Sequence, residues 1–249
     1  ADYNRCVVVL TGGEPMERSD LYELIDYGNS VGHRIALATC GYLITDHSIR
    51  KLRDHGVLTL SFSIDGADAQ FHDSFRGVEG AYAIAMSAIA RAKENRIRFQ
   101  INTAVTNQNA DQVLQINLQA KELGAYCFNP FICVPTGRGS NLVDQVIKPD
   151  IYEKLLHELA EIKKHGFMEI RVTCGPQFSR VIARHEKVFA GNMRGQGCMA
   201  GGGFAFVSYQ GDVQTCGFLN ISAGNLVENG YDFANIWINS EFLNQIRVR

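Results

Sequence analysis

VVVLTGGEPM, residues Val7 to Met16, decides how this chain reads. Val7 to Leu10 form a short apolar run of the kind that makes a buried strand. Gly12 and Gly13 stop it, because glycine reaches backbone angles that other residues avoid. Glu14 sets a carboxylate into the turn, and Pro15 prepares a helix start. Taken alone, the stretch is a strand end with Glu14 in solvent. The rest of the chain gives it more meaning, because the same strand–turn–helix unit recurs.

Outward from that stretch, strand and helix signals alternate. Cys6 to Thr11 reads as a strand. Ser19 caps a helix through Val31, with Leu21, Leu24, Ile25 and Gly28 on one face. HRIALAT (33–39) is a strand, and Thr45 caps a short helix ending at Gly56. VLTLSFSI (57–64) is a strand closed by Asp65-Gly66. An alanine-rich helix spans Gly80 to Asn95, and RFQINTAV (98–105) is a strand. A helix over Asp111 to Leu123 and the strand YCFNPFICV (126–134) follow. Pro149 to His165 is the clearest helix, with Leu155, Leu156, Leu159 and Ile162 in helical spacing. MEIRV (168–172) is a last strand before a helix through Phe189. This series predicts an α/β fold, a parallel sheet with helices outside. After Ala190 the texture turns glycine-rich, and FAFVSYQGDVQTC (204–216) reads as a hairpin turning at Gln210-Gly211-Asp212. A boundary near Gly191 therefore separates residues 1–190 from a small β-rich appendage, 191–249.

The strands also carry a chemical pattern. In LSFSID (60–65), Leu60, Phe62 and Ile64 share one face and Ser61, Ser63 and Asp65 the other. In FQINTAV (99–105), Phe99, Ile101, Thr103 and Val105 alternate with Gln100, Asn102 and Ala104. A doubly covered parallel strand should be apolar on both faces. Two strands with the same polar face point instead to a lined site near a barrel mouth.

The chain has 249 residues, 46% of them hydrophobic, and a net charge of -2. That suffices for one sizeable core with an appendage, and no basic surplus suggests nucleic acid. No apolar run is long enough to cross a membrane, no signal peptide is visible, and the expected location is the cytoplasm. Seven cysteines, Cys6, Cys40, Cys127, Cys133, Cys174, Cys198 and Cys216, favour reduced thiols or metal ligands over disulfides. Cys6, Cys40 and Cys127 read as small buried hydrophobes. No phosphate-binding glycine loop, dinucleotide fingerprint, zinc motif or cysteine–histidine nucleophile is present. His72, between Phe71 and Asp73, reads as a surface or helix-cap residue.

LTGGEP (10–15), SFSIDG (61–66), INTAVT (101–106) and FICVPTGRG (131–139), in this order and spacing, resemble the radical S-adenosylmethionine (SAM) superfamily along essentially the whole chain. The resemblance implies a partial (β/α)6 barrel over 1–190. Gly12 and Gly13 would offer backbone groups to the methionyl ammonium of SAM, and Glu14, followed by Pro15, would accept from it. Ser63 and Asp65 would lie near the ribose hydroxyls and Asn102 near the methionyl carboxylate or ribose. Backbone from Ile132 to Val134 would meet the adenine. The family's CxxxCxxC, which holds the SAM-cleaving 4Fe-4S cluster, is absent. Its first strand and cluster loop are expected in a segment before Ala1. A smaller departure is Cys40, where many members carry asparagine.

Cys198, Gly211 and Cys216 match the opening of the SPASM or twitch type of auxiliary iron–sulfur domain, expected to begin at 191 with further cysteines beyond Arg249. This implies one or two auxiliary 4Fe-4S clusters, with Cys198 and Cys216 as ligands and Cys174 a candidate third; structural zinc is the alternative metal. Within that group, SIDGADAQFHDSFRGVEGA (63–81), VTCGPQFSR (172–180) and GDVQTCGFL (211–219) most resemble the heme synthases of the siroheme-dependent pathway. Those enzymes convert two propionates of iron-coproporphyrin III to vinyls. The implied function is SAM-dependent oxidative decarboxylation, with Arg138 reaching a substrate propionate and a flavodoxin or ferredoxin as electron donor. A solvent-facing role for Arg138 weighs equally. Alternatives are another SPASM enzyme, acting on heme d1 precursors or a peptide, or a non-catalytic SAM- or tetrapyrrole-binding relative.

Overall fold

A computed structural model describes residues 5–166, 168–185 and 197–247. Six parallel strands lie side by side in sequence order: β1 (Val7–Leu10), β2 (Arg34–Ala38), β3 (Thr59–Ser63), β4 (Phe99–Val105), β5 (Cys127–Ile132) and β6 (Glu169–Ile170). Between them run α1 (Leu21–Ser30), α2 (Asp46–Asp54), α3 (Ala69–Arg76), α4 (Ala81–Glu94), α5 (Val113–Leu123) and α6 (Pro149–His165), and α7 (Gln177–His185) follows β6. Sequential parallel order is what right-handed β–helix–β crossovers produce when wound into a barrel wall.

The strand faces divide as the alternation predicts. Register pairs Leu37 with Leu60, Phe62 with Ile101 and Ile101 with Phe128, all fully buried in the main core. Helices pack on that face. Gly28 of α1 shows how closely, since a Cβ there would meet Ile35 Cδ1 at 2.4 Å. Truncating Phe62 or Phe128, both without exposed surface, should cost about 3–5 kcal/mol. The same register sets Ser63, Asn102 and Asn129 abreast on the opposite face. On that face of edge strand β1, Val7 and Val9 are 53% and 47% exposed.

Several elements differ from expectation. Asp20, not Ser19, takes the position before α1, and Leu24 is 37% exposed beyond the edge of the buried stripe. Thr45 does cap α2, in a reciprocal pair with Ser48. Helix α3 was not expected; its eight residues are polar on average, and Asp68 starts it by accepting from Phe71 N at 2.8 Å. Cys127 is buried as expected, whereas Cys6 and Cys40 are exposed, since both sit just outside strand ends. Residues 186–189 of the last expected helix, and the boundary near Gly191, lie outside the described residues.

Contacts group the chain into two compact units, 1–133 with 147–185, and 134–146 with 186–249. The second holds a 3-10 segment (Gly137–Gln145), an antiparallel sheet of β7 (Phe206–Val207), β8 (Asp212–Gln214) and β9 (Ser222–Asn225), then α8 (Phe233–Asn239) and α9 (Glu241–Arg247). The hairpin turn expected at Gln210-Gly211-Asp212 joins β7 to β8, with Gly211 at φ +91°. Among the described residues no helix is long and apolar enough to cross a membrane.

Candidate functional site

The turn after β1 is the first half of the site. Gly12 has φ +130°, which a side chain would strain, and both glycines are exposed. Glu14 does not stand free in solvent. Its Oε1 accepts from Met16 N at 3.0 Å. Its Oε2 accepts from Thr39 Oγ1 at 2.9 Å, Cys40 N at 2.9 Å and Cys40 Sγ at 3.0 Å. One carboxylate thus ties the β1 turn to the β2 turn, while Pro15 is buried beneath it. Cys40 is exposed as a residue, but partial desolvation of its sulfur first, and then Glu14, push the thiol up, so it can donate.

The ends of β3 and β4 form the second half. Asn102 Oδ1 accepts from Gln100 Nε2 at 2.9 Å, and Gln100 Oε1 accepts from Tyr126 Oη at 3.1 Å. That chain occupies the amide oxygen of Asn102 and leaves its NH2 to donate to a ligand oxygen. Next along the row, Thr173 Oγ1 donates to Asn129 Oδ1 at 2.8 Å. Ser63 is half-buried beside Asn102.

Asp65 behaves otherwise than the resemblance implies. It is 0% exposed. Oδ1 accepts from Ala104 N at 2.7 Å and Oδ2 from Arg76 Nε at 2.5 Å. Its backbone N–H donates to His72 Nδ1 at 3.0 Å, and its C=O accepts from Asn109 Nδ2 at 2.8 Å. The carboxylate is engaged by protein donors, so it holds the loop that carries the site. His72 is 2% exposed inside α3, neither surface nor cap. Burial is the main cause that lowers its pKa, which keeps Nδ1 free to accept.

Of the remaining candidates, Val134 is exposed just past β5. Arg138 has its backbone in the 3-10 segment, and its side chain lies outside the described residues. Cys174 sits at φ +58° in the turn after β6 and packs against the first unit's core. In the second unit, Cys198 is exposed and Cys216 half-buried, both as free thiols. A Cβ at Gly201 would lie 3.2 Å from Thr215 Cγ2, so the loops carrying the two cysteines touch. No group of three His, Cys, Asp or Glu able to hold a metal occurs among the described residues. Cys198 and Cys216, on touching loops, are two thiols of the four that an iron–sulfur cluster takes. Sequence reasoning missed Thr39, Asn129, Thr173, Arg76 and His72. Asn129 had a signal, a lone amide inside an otherwise apolar strand; the rest form by contacts across the fold.

Comparison with known proteins follows the same lines. The Radical SAM superfamily profile matches residues 3–118. The AdoMet-dependent heme synthase of Methanosarcina barkeri is 37% identical over 99% of this chain and 72% of its own length. The AdoMet-dependent heme synthase of Oleidesulfovibrio alaskensis is 38% identical over 97% of this chain and 64% of its own length. Among solved structures, Streptococcus suis SuiB bound to precursor peptide SuiA superposes with TM-score 0.77 at 16% identity, covering 98% of this chain and 56% of that one. That likeness shows a shared fold.

Proposed function

This chain belongs to the radical SAM superfamily, and on that premise we propose that it takes part in oxidative decarboxylation of the two propionates of iron-coproporphyrin III, giving heme. The observation that carries the proposal is 37–38% identity to AdoMet-dependent heme synthases across nearly the whole chain. Membership implies SAM and a 4Fe-4S cluster, which together supply a carbon-centred radical able to take a hydrogen atom. For each propionate, one hydrogen atom, carbon dioxide and one electron leave, and a vinyl remains.

The chain's own residues then have distinct tasks. Gly12 and Gly13 leave backbone groups open at the β1 turn, and Glu14 fixes that turn while keeping a negative charge beside the methionyl ammonium. Pro15, buried, supports the turn. Ser63 and the free NH2 of Asn102 donate to ribose or carboxylate oxygens. Backbone near Val134 meets the adenine. Asp65 acts behind the site by holding Ala104 and Arg76. Arg138 suits a propionate because its planar fork donates two parallel bonds. Cys198 and Cys216, with Cys174 as a third candidate, hold an auxiliary iron–sulfur cluster that accepts the departing electron. A cytoplasmic flavodoxin or ferredoxin is the proposed donor.

Anaerobic incubation of the reconstituted full-length protein with SAM, a reductant and iron-coproporphyrin III tests this reading. Heme and 5′-deoxyadenosine are expected. Deoxyadenosine with an unchanged porphyrin would reject the substrate and leave a heme d1 precursor or a peptide as the target.

A further inference from the structure

One guanidinium nitrogen in the second unit is buried without a partner among the described residues. Arg247 ends α9, and its head is held on three sides. Nε donates to Gly201 O at 2.7 Å, Nη1 donates to Trp237 O at 2.5 Å, and the Trp237 ring centre lies 4.2 Å from the guanidinium carbon. Nη2 is buried and has no hydrogen-bond partner among the described residues. A charged donor shielded from water is costly to leave unpaired, so it calls for an acceptor.

Fork geometry says where that acceptor lies. In a guanidinium, Nε–H and one Nη2–H point in parallel from a single edge. Nε already points at Gly201 O, so the open donor faces the same loop, 198–204. The neighbouring carbonyl there is taken: Gly202 N, Gly203 N and Phe204 N all donate to Met199 O, at 3.0, 2.9 and 3.0 Å. Gly201 is also the residue that packs on Thr215, immediately before Cys216. The missing acceptor therefore belongs beside the two loops that carry Cys198 and Cys216.

We propose that Arg247 is a positioning residue that donates through Nη2 to a sulfur of the auxiliary iron–sulfur cluster held by Cys198 and Cys216, and so raises the reduction potential of that cluster. The inference rests on the auxiliary-cluster reading above. A cation and hydrogen-bond donor facing cluster sulfur stabilises the reduced, more negative state. The competing role is a brace, in which Nε and Nη1 merely tie α8 and α9 to the cysteine loop.

A redox titration followed by electron paramagnetic resonance, on the anaerobically reconstituted full-length protein, separates the two. Arg247→Gln should weaken reduction of the auxiliary cluster by about tenfold, a midpoint lower by about 59 mV for one electron. Arg247→Lys keeps the charge and should shift it less. A brace would change iron retention and melting temperature but not the midpoint, so unshifted midpoints in both variants overturn the proposal. A second measurement needs no variant. In the parent enriched with 15N-arginine, pulsed resonance should show a nitrogen coupling on the auxiliary signal. A parent with the cluster but without that coupling overturns this inference alone. A parent without auxiliary iron overturns the cluster reading, and this inference with it.

Discussion

At the ends of β1 to β4 the polar groups bond one another. Glu14 gathers Met16 N, Thr39 and Cys40, and Asp65 gathers Ala104 N and Arg76 with no exposed surface. In the second unit the groups around the cysteine loops are less engaged. Cys198 is exposed, Cys216 half-buried, and Arg247 Nη2 is buried and unpaired among the described residues. The first region is organised by its own hydrogen bonds, anchored on a parallel ladder that fixes Ser63 beside Asn102. It can be shaped for SAM before SAM arrives, which lowers the ordering cost of binding. The second has three short strands, of two, three and four residues, and its two cysteine loops carry no charged side chain that could tie them together. There an inorganic partner would supply cohesion, because metal-binding free energy becomes folding free energy when no preformed site exists.

The strongest way to break that contrast is to remove the thiols. A Cys198→Ala, Cys216→Ala variant of the reconstituted full-length protein should lose the auxiliary cluster those thiols hold, measured by iron and sulfide analysis with paramagnetic resonance. Turnover of iron-coproporphyrin should vanish with it. SAM affinity, which the proposed function rests chiefly on Gly12 to Glu14, Ser63 and Asn102, should change by less than about threefold, in line with the additivity of independent sites. A variant that keeps every cluster signal of the parent would show that these cysteines are not ligands. Zinc in place of the auxiliary iron would end the electron-transfer role.

A smaller effect is expected at Asp65, where the first region keeps its most enclosed charge. Asp65→Ala would leave Ala104 N unpaired and release Arg76. Arg76 has a side chain 40% exposed, so solvent can recover it, and the loss should be about 2–3 kcal/mol in denaturant unfolding. SAM binding should weaken through the displaced β3 and β4 ends. A melt unchanged within error, with SAM affinity lost, would make Asp65 a direct ligand and contradict the buried geometry.

These effects also mark how far the amino-acid order reaches. The alternation in LSFSID and FQINTAV located the lined face because period two is a local property, and register then placed Ser63 beside Asn102. The glycine turn and Glu14 were equally visible. The role of Glu14 was not, since its partners Thr39 and Cys40 lie 25 and 26 positions away. Asp65 looked like a ligand because it shares a face with Ser63; α3, absent from the expectation, brings Arg76 to it instead. Cys198 and Cys216 were found by their spacing, while Arg247, 46 positions from Gly201, carries no local signal.

The smallest expected effect concerns the proton on His72, and it sharpens the account of how the first region is held. His72 Nδ1 accepts from Asp65 N, so the imidazole must be neutral at that nitrogen. Burial lowers its folded pKa most; nearby Asp65 and Asp73 raise it, and Arg76 lowers it. An unfolded histidine titrates near about 6.5. Below that pH the unfolded chain takes a proton that the folded site refuses, so His72 lowers stability as the pH falls through 6.5 towards the folded value. Above it both states are neutral and His72 adds no slope. His72→Asn offers an acceptor oxygen that does not titrate. Parent and variant should therefore differ most at neutral pH and converge as the pH falls below about 6.5 in urea unfolding. A difference that stays constant over this range would show that the Asp65 loop tolerates a protonated His72, and that its hold on the site comes from Asp65, Arg76 and Asn109 alone.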